Sequence, residues 1–429
     1  MPAPRSITRI VVIIMLTADC TKAPLSPAAP LSAAGSTFQP VSAAQRGFTP
    51  EQVAGFHAAR EWQDILKSGD VPLYMFLHLS EFYPSTVVHR NGPMVALEQS
   101  PDMKIGAVRI PSPEGTSLDE YLTNPGSRAQ GMIVIHKGKI IFERYPGMRE
   151  DDTHITMSVA KTMPALVIGV LEEEGRIDVE HTIGSYVPAL NDTAWNEIKV
   201  IDVLNMASGL DVEETEQNRD DARSTFGRFL RAVLNVPGPD GKVEKHTDVI
   251  RSPKKLREPG HIYEYSSINT QVLVLLAQAV EHRSWAEIFQ NRVWSNMNAE
   301  GDVQVCVTPD GIAMPYGLAA MRLRDLARFG MLYTPNWARA ARRPVVTADM
   351  IEKIRKGASA QRNVAVGSSR HWDCVFNDGD FYKGGLHGQG LYVSPGKDLV
   401  IAWFSTAQSS ELLTYGLAIA KLHGYRHTY

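Results

Sequence analysis

The sequence predicts an α/β fold in which strands from both ends of the globular part share one sheet around a mainly helical insertion. Residues 132–135 and 140–142 form one hairpin pattern, with a Gly-bearing turn between two apolar runs. Residues 391–393 and 399–404 form a second hairpin pattern near the C-terminus. Because the intervening signals are mostly helical, the two ends of the chain are expected to close a single sheet.

Length and composition are those of an ordinary globular protein. The chain has 429 residues, of which 44% are hydrophobic and 21% are charged. This is enough apolar mass for one large core or two smaller ones. The formal net charge is −3, and Lys and Arg form no long blocks. A nucleic-acid partner is therefore not expected.

The first 20 residues have the pattern of a secretory signal segment. Arg5 and Arg9 precede an apolar run over residues 10–16, which is too short to span a bilayer as a helix. Residues 21–49 are rich in Ala, Pro and Ser, which predicts a disordered linker. We therefore expect an exported protein, periplasmic or secreted. The alternative is a leader without function.

The three cysteines are Cys20, Cys306 and Cys374. They form no C-x-x-C pair and no even framework, so neither a disulfide scaffold nor a thiolate zinc site is expected. A single Cys306–Cys374 bridge requires an oxidising compartment, and the sequence leaves it open. Lipidation of Cys20 would give a membrane anchor. Asp19 disfavours it, because a small residue is wanted at that position.

Apolar periodicity predicts four main helices. Residues 159–174 place apolar side chains at helical spacing and end at Gly175. Residues 270–281 are apolar nearly all round, which indicates a helix buried in the core. Residues 320–333 are amphipathic, and residues 411–422 form a final helix after the second hairpin.

The strongest candidate for catalysis is Ser158-Val159-Ala160-Lys161, which opens the first of these helices. A serine hydroxyl needs a neighbouring base to remove its proton. Positions three apart share a helix face, so Lys161 can reach Ser158. The free N–H groups of a helix start would face a developing oxyanion. The same spacing recurs in two loops, so the helical context carries the prediction, and the alternative is an ordinary helix cap.

Two further segments could complete such a site. Tyr265-Ser266-Ser267-Ile268-Asn269 leads into the buried helix, and a phenol beside a cation could act as a general base. Lys383-Gly384-Gly385-Leu386-His387-Gly388-Gln389-Gly390 runs into a strand. A backbone N–H of this segment could complete an oxyanion hole with that of Ser158. The alternatives are a half-buried tyrosine, a bulged strand start and a structural histidine.

Signatures of several other site types do not occur. There is no G-x-x-x-x-G-K-[ST], G-x-G-x-x-G, H-E-x-x-H or G-x-S-x-G, so phosphate-cradle, dinucleotide, zincin and nucleophile-elbow sites are not supported. No metal or organic cofactor is expected, since Ser, Lys and Tyr can run acyl transfer unaided. Residues 211–221 form an acidic stretch, interpreted as a solvated loop. The alternative is a rim for a cationic substrate group.

In chain order, these three motifs resemble the serine β-lactamase and penicillin-binding-protein superfamily, in particular its class C and family VIII esterase branch. Several segments are most similar to 6-aminohexanoate-dimer (nylon-oligomer) hydrolases, namely residues 157–161, 172–178, 265–270, 324–330 and 386–389. The resemblance implies a two-domain fold, with an antiparallel sheet flanked by helices plus an all-helical domain. The α/β domain would comprise residues 50–180 and 300–429, and the helical domain residues 181–299.

The resemblance also implies roles for individual residues. Ser158 would be the nucleophile, with Lys161 and Tyr265 as the proton-handling pair. Ser267 would hydrogen-bond Lys161 or substrate. Further substrate or oxyanion positions would be Asn269, Gly385, Leu386, His387 and Gly388. The Lys-Thr-Gly strand motif of true β-lactamases is missing, and either Lys383-Gly384-Gly385 or Gly385-Leu386-His387 stands in its place.

These observations predict a serine hydrolase that cleaves a small ester or a linear amide through an acyl-enzyme intermediate. A D-amino-acid peptidase or a weak β-lactamase is less expected, because both would benefit from Lys-Thr-Gly. The alternative from another class is a non-catalytic peptide- or peptidoglycan-binding protein on the same fold. Retention of Ser158, Lys161 and Tyr265 favours the enzyme. The sequence fixes neither the natural substrate nor the oligomeric state.

Overall fold

The computed structural model describes residues 45–110, 115–359, 366–408 and 410–424. The predicted signal segment, Cys20 and most of the predicted linker lie outside these residues. The last residues of that linker are ordered, since the Phe48 ring packs edge-on against Phe56 and Tyr74 at centroid distances of 5.7 and 4.9 Å. An aromatic ring with two aromatic partners buries apolar area that Ala, Pro and Ser do not supply. The linker prediction is therefore wrong for residues 45–49.

The described residues form sixteen α-helices and twelve β-strands. The helices are α1 (Pro50–Ala59), α2 (Asp70–Leu77), α3 (Leu79–Phe82), α4 (Met103–Gly106), α5 (Leu118–Thr123), α6 (Thr162–Glu173), α7 (Ile183–Tyr186), α8 (Val200–Leu204), α9 (Glu216–Asp220), α10 (Thr225–Val233), α11 (His246–Arg251), α12 (Ser267–Glu281), α13 (Trp285–Arg292), α14 (Leu323–Met331), α15 (Ala348–Ser359) and α16 (Leu412–Leu422). The strands are β1 (Ser85–Val88), β2 (Glu98–Gln99), β3 (Ala129–His136), β4 (Lys139–Arg144), β5 (His154–Ile155), β6 (Val303–Cys306), β7 (Ala319–Met321), β8 (Val366–Ser369), β9 (Trp372–Phe376), β10 (Phe381–Gly385), β11 (Gln389–Ser394) and β12 (Leu399–Ser405). None of the described helices is long and apolar enough to cross a membrane.

The main sheet has eight strands in the order β2-β4-β3-β12-β11-β10-β9-β8. All neighbours are antiparallel except β2 and β4. The two predicted hairpins meet where β12 pairs with β3, with Met132 opposite Trp403. Strands from both ends of the chain thus share one sheet, as predicted. A second sheet, β1-β6-β7-β5, was not predicted, because its strands are two to four residues long and carry little periodicity.

The central strands of the main sheet are buried on both faces. Successive side chains of β3 point to opposite sides: Ile133 belongs to the cluster that contains α14, and Met132 to the cluster that contains α16. Helix α14 packs on β3, β11 and β12, and α16 packs on β11 and β12. This three-layer arrangement explains why these strands are almost continuously apolar.

Between β5 and β6 the chain forms helices joined by loops, with isolated bridges and no further strand. Helix α12 starts at Ser267, three residues before the predicted start, because the Ser266 side chain caps it by accepting a 3.1 Å hydrogen bond from the Ile268 N–H. Helix α14 is shorter than predicted, since residues 319–321 form β7 instead. One hydrophobic cluster continues from Ile133 in the sheet to Leu273 in α12. The helical segment and the sheet therefore share a core.

The open question of a Cys306–Cys374 bridge is answered by the fold. Cys306 lies in β6 of the small sheet and Cys374 in β9 of the main sheet. Both side chains are buried, and no disulfide joins them. Burial raises the pKa of Cys306 to about 12, so this thiol is an inert part of the core.

Candidate active site

Ser158 lies in a 3₁₀ turn, Met157–Lys161, that leads directly into α6. The predicted helix start is therefore a tighter turn than expected. Its first residue, Met157, is buried and has a φ of +46°, a left-handed conformation that non-glycine residues rarely adopt. Thr156, which precedes the turn, is fixed by two hydrogen bonds. Its N–H and its hydroxyl both donate to the Ala319 carbonyl, at 2.8 and 3.0 Å.

Lys161 is directly beside the predicted nucleophile. Its Nζ lies 3.0 Å from the Ser158 Oγ, because residues i and i+3 eclipse one another in a 3₁₀ helix. The same Nζ donates a 2.6 Å hydrogen bond to the Tyr316 carbonyl. Lys161 is 1% exposed. A buried amine at this distance from a serine hydroxyl can exchange a proton with it.

Tyr265 lies against two lysines. The centroid of its ring is 4.9 Å from the Lys161 Nζ and 4.8 Å from the Lys383 Nζ, both within the range of a cation–π contact. The structure thus brings together the three predicted catalytic residues, Ser158, Lys161 and Tyr265. Lys383 lies beside them. The sequence indicated this residue only as part of a glycine-rich segment and predicted no role for it.

Lys383 is held by an ion pair that the sequence did not indicate. Its side chain is 1% exposed, and its Nζ lies 2.5 Å from Asp373 Oδ1. The other carboxylate oxygen, Oδ2, accepts a 2.9 Å hydrogen bond from the Gly384 N–H. Of the two segments that could replace Lys-Thr-Gly, Lys383-Gly384-Gly385 is the one that lies against Tyr265. Asp373 was missed because it lies on the neighbouring strand β9, where one acid carries no motif.

Gly385 lies at the point where β10 meets the turn that carries Ser158. A Cβ at this position would come within 2.9 Å of the Thr156 carbonyl oxygen and 3.0 Å of the Met157 Cβ. A side chain would therefore push the strand away from the nucleophile, so only glycine permits this close approach. This placement fits the predicted oxyanion role of Gly385.

The residues that follow Gly385 turn away into the protein. Leu386, His387 and Gly388 form a 3₁₀ turn, in which Leu386 packs against the core. His387 is buried, and its ring centroid lies 5.6 Å from that of Phe76. Burial, with the nearby positive charges of Arg219 and Arg128, lowers the pKa of His387 to about 4. The structural alternative for this histidine therefore fits better than a direct substrate contact.

Ser267 is engaged by a residue of the acidic stretch. Its hydroxyl donates a 2.6 Å hydrogen bond to Glu214 Oε2, and its N–H donates to the same oxygen at 3.2 Å. The predicted hydrogen bond from Ser267 to Lys161 or substrate stays a prediction, because the Ser267 hydroxyl can still accept one. The Glu214 N–H also donates to the Tyr265 carbonyl at 2.8 Å. Glu214 thus clamps the segment that carries Tyr265, and nothing in the sequence distinguished it from the other acids of its stretch.

Asn269 is fully buried, and its Nδ2 lies 3.6 Å from the Met206 sulfur. It belongs to the interior behind the site. A narrow gap next to Asp373 is also lined by Met206 and His371. Burial, with the nearby charges of Lys383 and Lys161, lowers the pKa of His371 to about 3. In the described part of the chain, no group of three or more His, Cys, Asp or Glu residues could hold a metal ion.

The chain is similar to known proteins over most of its length. The sequence model of the Beta-lactamase family matches residues 118–423, which is most of the chain. The 6-aminohexanoate-dimer hydrolase of Paenarthrobacter ureafaciens is 26% identical over 377 residues, 85% of this chain and 93% of that protein. Protein flp of Staphylococcus aureus is 22% identical over 172 residues, 37% of this chain and 31% of that protein.

Solved structures share the fold. A provisionally assigned 6-aminohexanoate-dimer hydrolase from Bacillus anthracis superposes with a TM-score of 0.71 at 22% identity, covering 82% of this chain and 93% of that one. EstCE1, a hydrolase with promiscuous acyltransferase activity, gives a TM-score of 0.52 at 14% identity, covering 69% of this chain and 94% of that one. The predicted resemblance to 6-aminohexanoate-dimer hydrolases and the predicted α/β fold are confirmed.

Proposed function

Because the chain belongs to the Beta-lactamase family, we propose that it is a serine hydrolase that cleaves a linear amide or a small ester through an acyl-enzyme on Ser158. The observation that carries this proposal is the 3.0 Å separation of the Lys161 Nζ from the Ser158 Oγ. A serine needs such a base to become a nucleophile at neutral pH. The position of Tyr265 beside the same lysine supports the proposal.

In the acylation step, the Ser158 Oγ attacks the carbonyl carbon of the substrate, and its proton passes to Lys161 in its neutral form. The oxyanion of the tetrahedral intermediate accepts hydrogen bonds from the N–H groups of Ser158 and the Gly385 segment. The bond from carbon to the leaving oxygen or nitrogen then breaks. The leaving group takes the proton through the Lys161–Tyr265 pair and departs as an alcohol or amine.

In the deacylation step, water attacks the ester formed with Ser158. The same pair accepts the proton of the water and returns a proton to the Ser158 Oγ as the acid product leaves. The 2.6 Å hydrogen bond from Lys161 to the Tyr316 carbonyl fixes the amine in place for both steps. A fixed position matters because displacements of about 1 Å at a reacting group cost rate.

The substrate class rests on the relatives. A linear amide is favoured because the Paenarthrobacter ureafaciens protein, named for the 6-aminohexanoate dimer, is matched over 93% of its length. A small ester is the second candidate, since the same nucleophile and base cleave esters with less difficulty than amides. The missing Lys-Thr-Gly motif argues against a β-lactam as the main substrate. Export of the protein stays a prediction, because residues 1–20 lie outside the described residues.

Covalent labelling tests the proposal. Wild type, Ser158→Ala and Ser252→Ala are exposed to a fluorophosphonate and weighed as intact proteins, while p-nitrophenol release from p-nitrophenyl butyrate is followed. Ser252 is the matched control, because it has the same spacing to Lys255 but lies in a loop. We expect one adduct and turnover in wild type and Ser252→Ala, and neither in Ser158→Ala. An adduct that persists in Ser158→Ala, or no adduct in folded wild type, contradicts the proposal.

A further inference from the structure

Arg219, in the short helix α9, has an incompletely satisfied guanidinium. Its Nε is buried and has no hydrogen-bond partner. Its acidic neighbour Glu214 lies 4.0 Å away, measured from Nη2 to Oε1, which is beyond hydrogen-bond distance. The side chain is still 22% exposed, so a ligand from solvent can reach it. Buried donors without an acceptor are rare in native proteins and call for an explanation.

Arg219 is linked to the segment that carries Tyr265. Its neighbour Glu214, 4.0 Å away, accepts a 2.6 Å hydrogen bond from the hydroxyl of Ser267, two residues after Tyr265. The positive charge of Arg219 also contributes to the lowered pKa of His387, two residues after Gly385. The guanidinium is therefore near the segment that carries Tyr265.

A guanidinium with an unpaired N–H donor is suited to bind a carboxylate. Its planar fork of N–H donors matches a carboxylate in a bidentate way, and it is more weakly hydrated than an ammonium. Glu214 does not fill this role, since its Oε2 is committed to Ser267 and its Oε1 is too distant. The exposed acids of the same stretch act at longer range, where salt screens them.

We infer that Arg219 binds a free carboxylate of the substrate, so the enzyme prefers esters or amides whose acyl part carries a negative charge. The inference deepens the proposed function and rests on it. It assigns charge recognition to a residue of the helical segment, in a chain without the Lys-Thr-Gly motif. The opposite expectation, a rim for a cationic group, remains as a competing outcome of the test.

The test compares three p-nitrophenyl esters of similar length: the mono-glutarate, which carries a carboxylate, the neutral valerate and the cationic 4-(trimethylammonio)butyrate. Wild type, Arg219→Gln, Arg219→Lys and Arg223→Gln are measured. Arg223 is the matched control, because it carries the same charge in the same segment and is exposed. We expect wild type to favour the glutarate ester. The ratio of its kcat/KM to that of the valerate ester should fall about tenfold or more in Arg219→Gln.

The remaining variants test the donor geometry and the position of the charge. Arg219→Lys keeps the charge but loses the fork, so an intermediate ratio is expected, and Arg223→Gln should keep the wild-type ratio. An equal loss on both esters, or a wild-type preference for the cationic ester, overturns the inference. If Arg219→Gln does not fold, competitive inhibition of valerate hydrolysis by glutarate is compared in wild type and Arg219→Lys. Equal inhibition constants then overturn it.

Failure of the proposed function gives a different result. In that case wild type hydrolyses none of the three esters, and Ser158→Ala is indistinguishable from it. Calorimetric titration with glutarate still tests the anion site, since binding needs no turnover. Heat of binding in wild type and Arg223→Gln but not in Arg219→Gln supports the site. No binding to wild type overturns it.

Discussion

The ion pair between Lys383 and Asp373 allows a prediction worked from its geometry. The Lys383 side chain is 1% exposed and the Asp373 side chain 12%, with 2.5 Å between Nζ and Oδ1. Asp373→Asn keeps the shape but leaves a buried ammonium without its counter-ion. Breaking a buried pair in this way costs about 3–5 kcal/mol. Because asparagine still accepts a hydrogen bond and the site retains some solvent, we expect a loss of about 3 kcal/mol in the free energy of unfolding.

The assay is urea unfolding of wild type, Asp373→Asn, Lys383→Met and the double variant. Replacing both members of a buried pair by neutral groups is often close to neutral for stability, so the double variant should recover most of the loss. Glu180→Gln is the exposed control. Its partner Lys199 lies 3.0 Å away, with side-chain exposures of 50% for Lys199 and 63% for Glu180, so we expect a change below about 1 kcal/mol.

Activity separates the structural from the chemical role of this pair. Lys383 lies 4.8 Å from the centroid of the Tyr265 ring, so the double variant should regain stability without regaining turnover of p-nitrophenyl esters. Two results would refute the reasoning. One is an Asp373→Asn protein within about 0.5 kcal/mol of wild type, inside the usual range of surface substitutions. The other is a double variant whose stability loss equals the sum of the two single losses.

Three further predictions follow from the contacts around the site and the core. Glu214→Gln weakens the charged hydrogen bond to Ser267, so kcat should fall about five- to tenfold, whereas the exposed Glu213→Gln should change kcat less than about twofold. Gly385→Ala forces a methyl group to 2.9 Å from the Thr156 oxygen and should lower kcat/KM about tenfold or more, while Gly396→Ala, with no atom within 4 Å of the added Cβ, should not. The free energy of unfolding should decrease as pH falls from about 6.5 toward 4. The histidines of the unfolded chain bind protons near pH 6.5, whereas burial lowers the pKa of several histidines in the folded state. Four buried histidines have a lowered pKa, and these are His154, His246 and His387 at about 4 and His371 at about 3. Three acids oppose this effect, because burial raises the pKa of Asp325 to about 6 and also raises the pKa of Asp202 and Glu264. A urea midpoint at pH 5 that equals the midpoint at pH 7 contradicts the histidine argument.

The parts of the fold that could be predicted are those with a local signal. The two hairpins and the helices α6, α12 and α16 are strongly apolar and bounded by turn residues, so periodicity located them within a few residues. The small sheet lacked such a signal, since β5 has two residues and β7 three. Residues 320 and 321 were assigned to a helix because the amphipathic pattern of α14 continues backwards into them. Pairing with β5 and β6 decides their conformation instead.

The residues of the proposed site also differ in whether a local sequence signal indicates them. Ser158 and Lys161 could be identified because they lie three positions apart and one turn presents both. Tyr265 followed from its place at a helix start. The groups that hold these residues come from far along the chain, as the Tyr316 carbonyl does 155 residues after Lys161. A backbone carbonyl is present at every residue, so no side-chain pattern could have indicated it.

The reaction and the choice of substrate differ in how far the sequence indicates the residues they depend on. In the proposed function, the reaction depends on Ser158 and Lys161, whose geometry one short turn supplies and whose spacing can be read in the sequence. The proposed choice of substrate depends on Arg219, whose neighbour Glu214 is joined to the start of α12 by the hydrogen bond from Ser267. Acids and arginines occur throughout the chain, so their local pattern identifies neither residue. A sequence can therefore indicate acyl transfer while leaving the substrate open, and substitutions in α9 should alter specificity without replacing the chemistry.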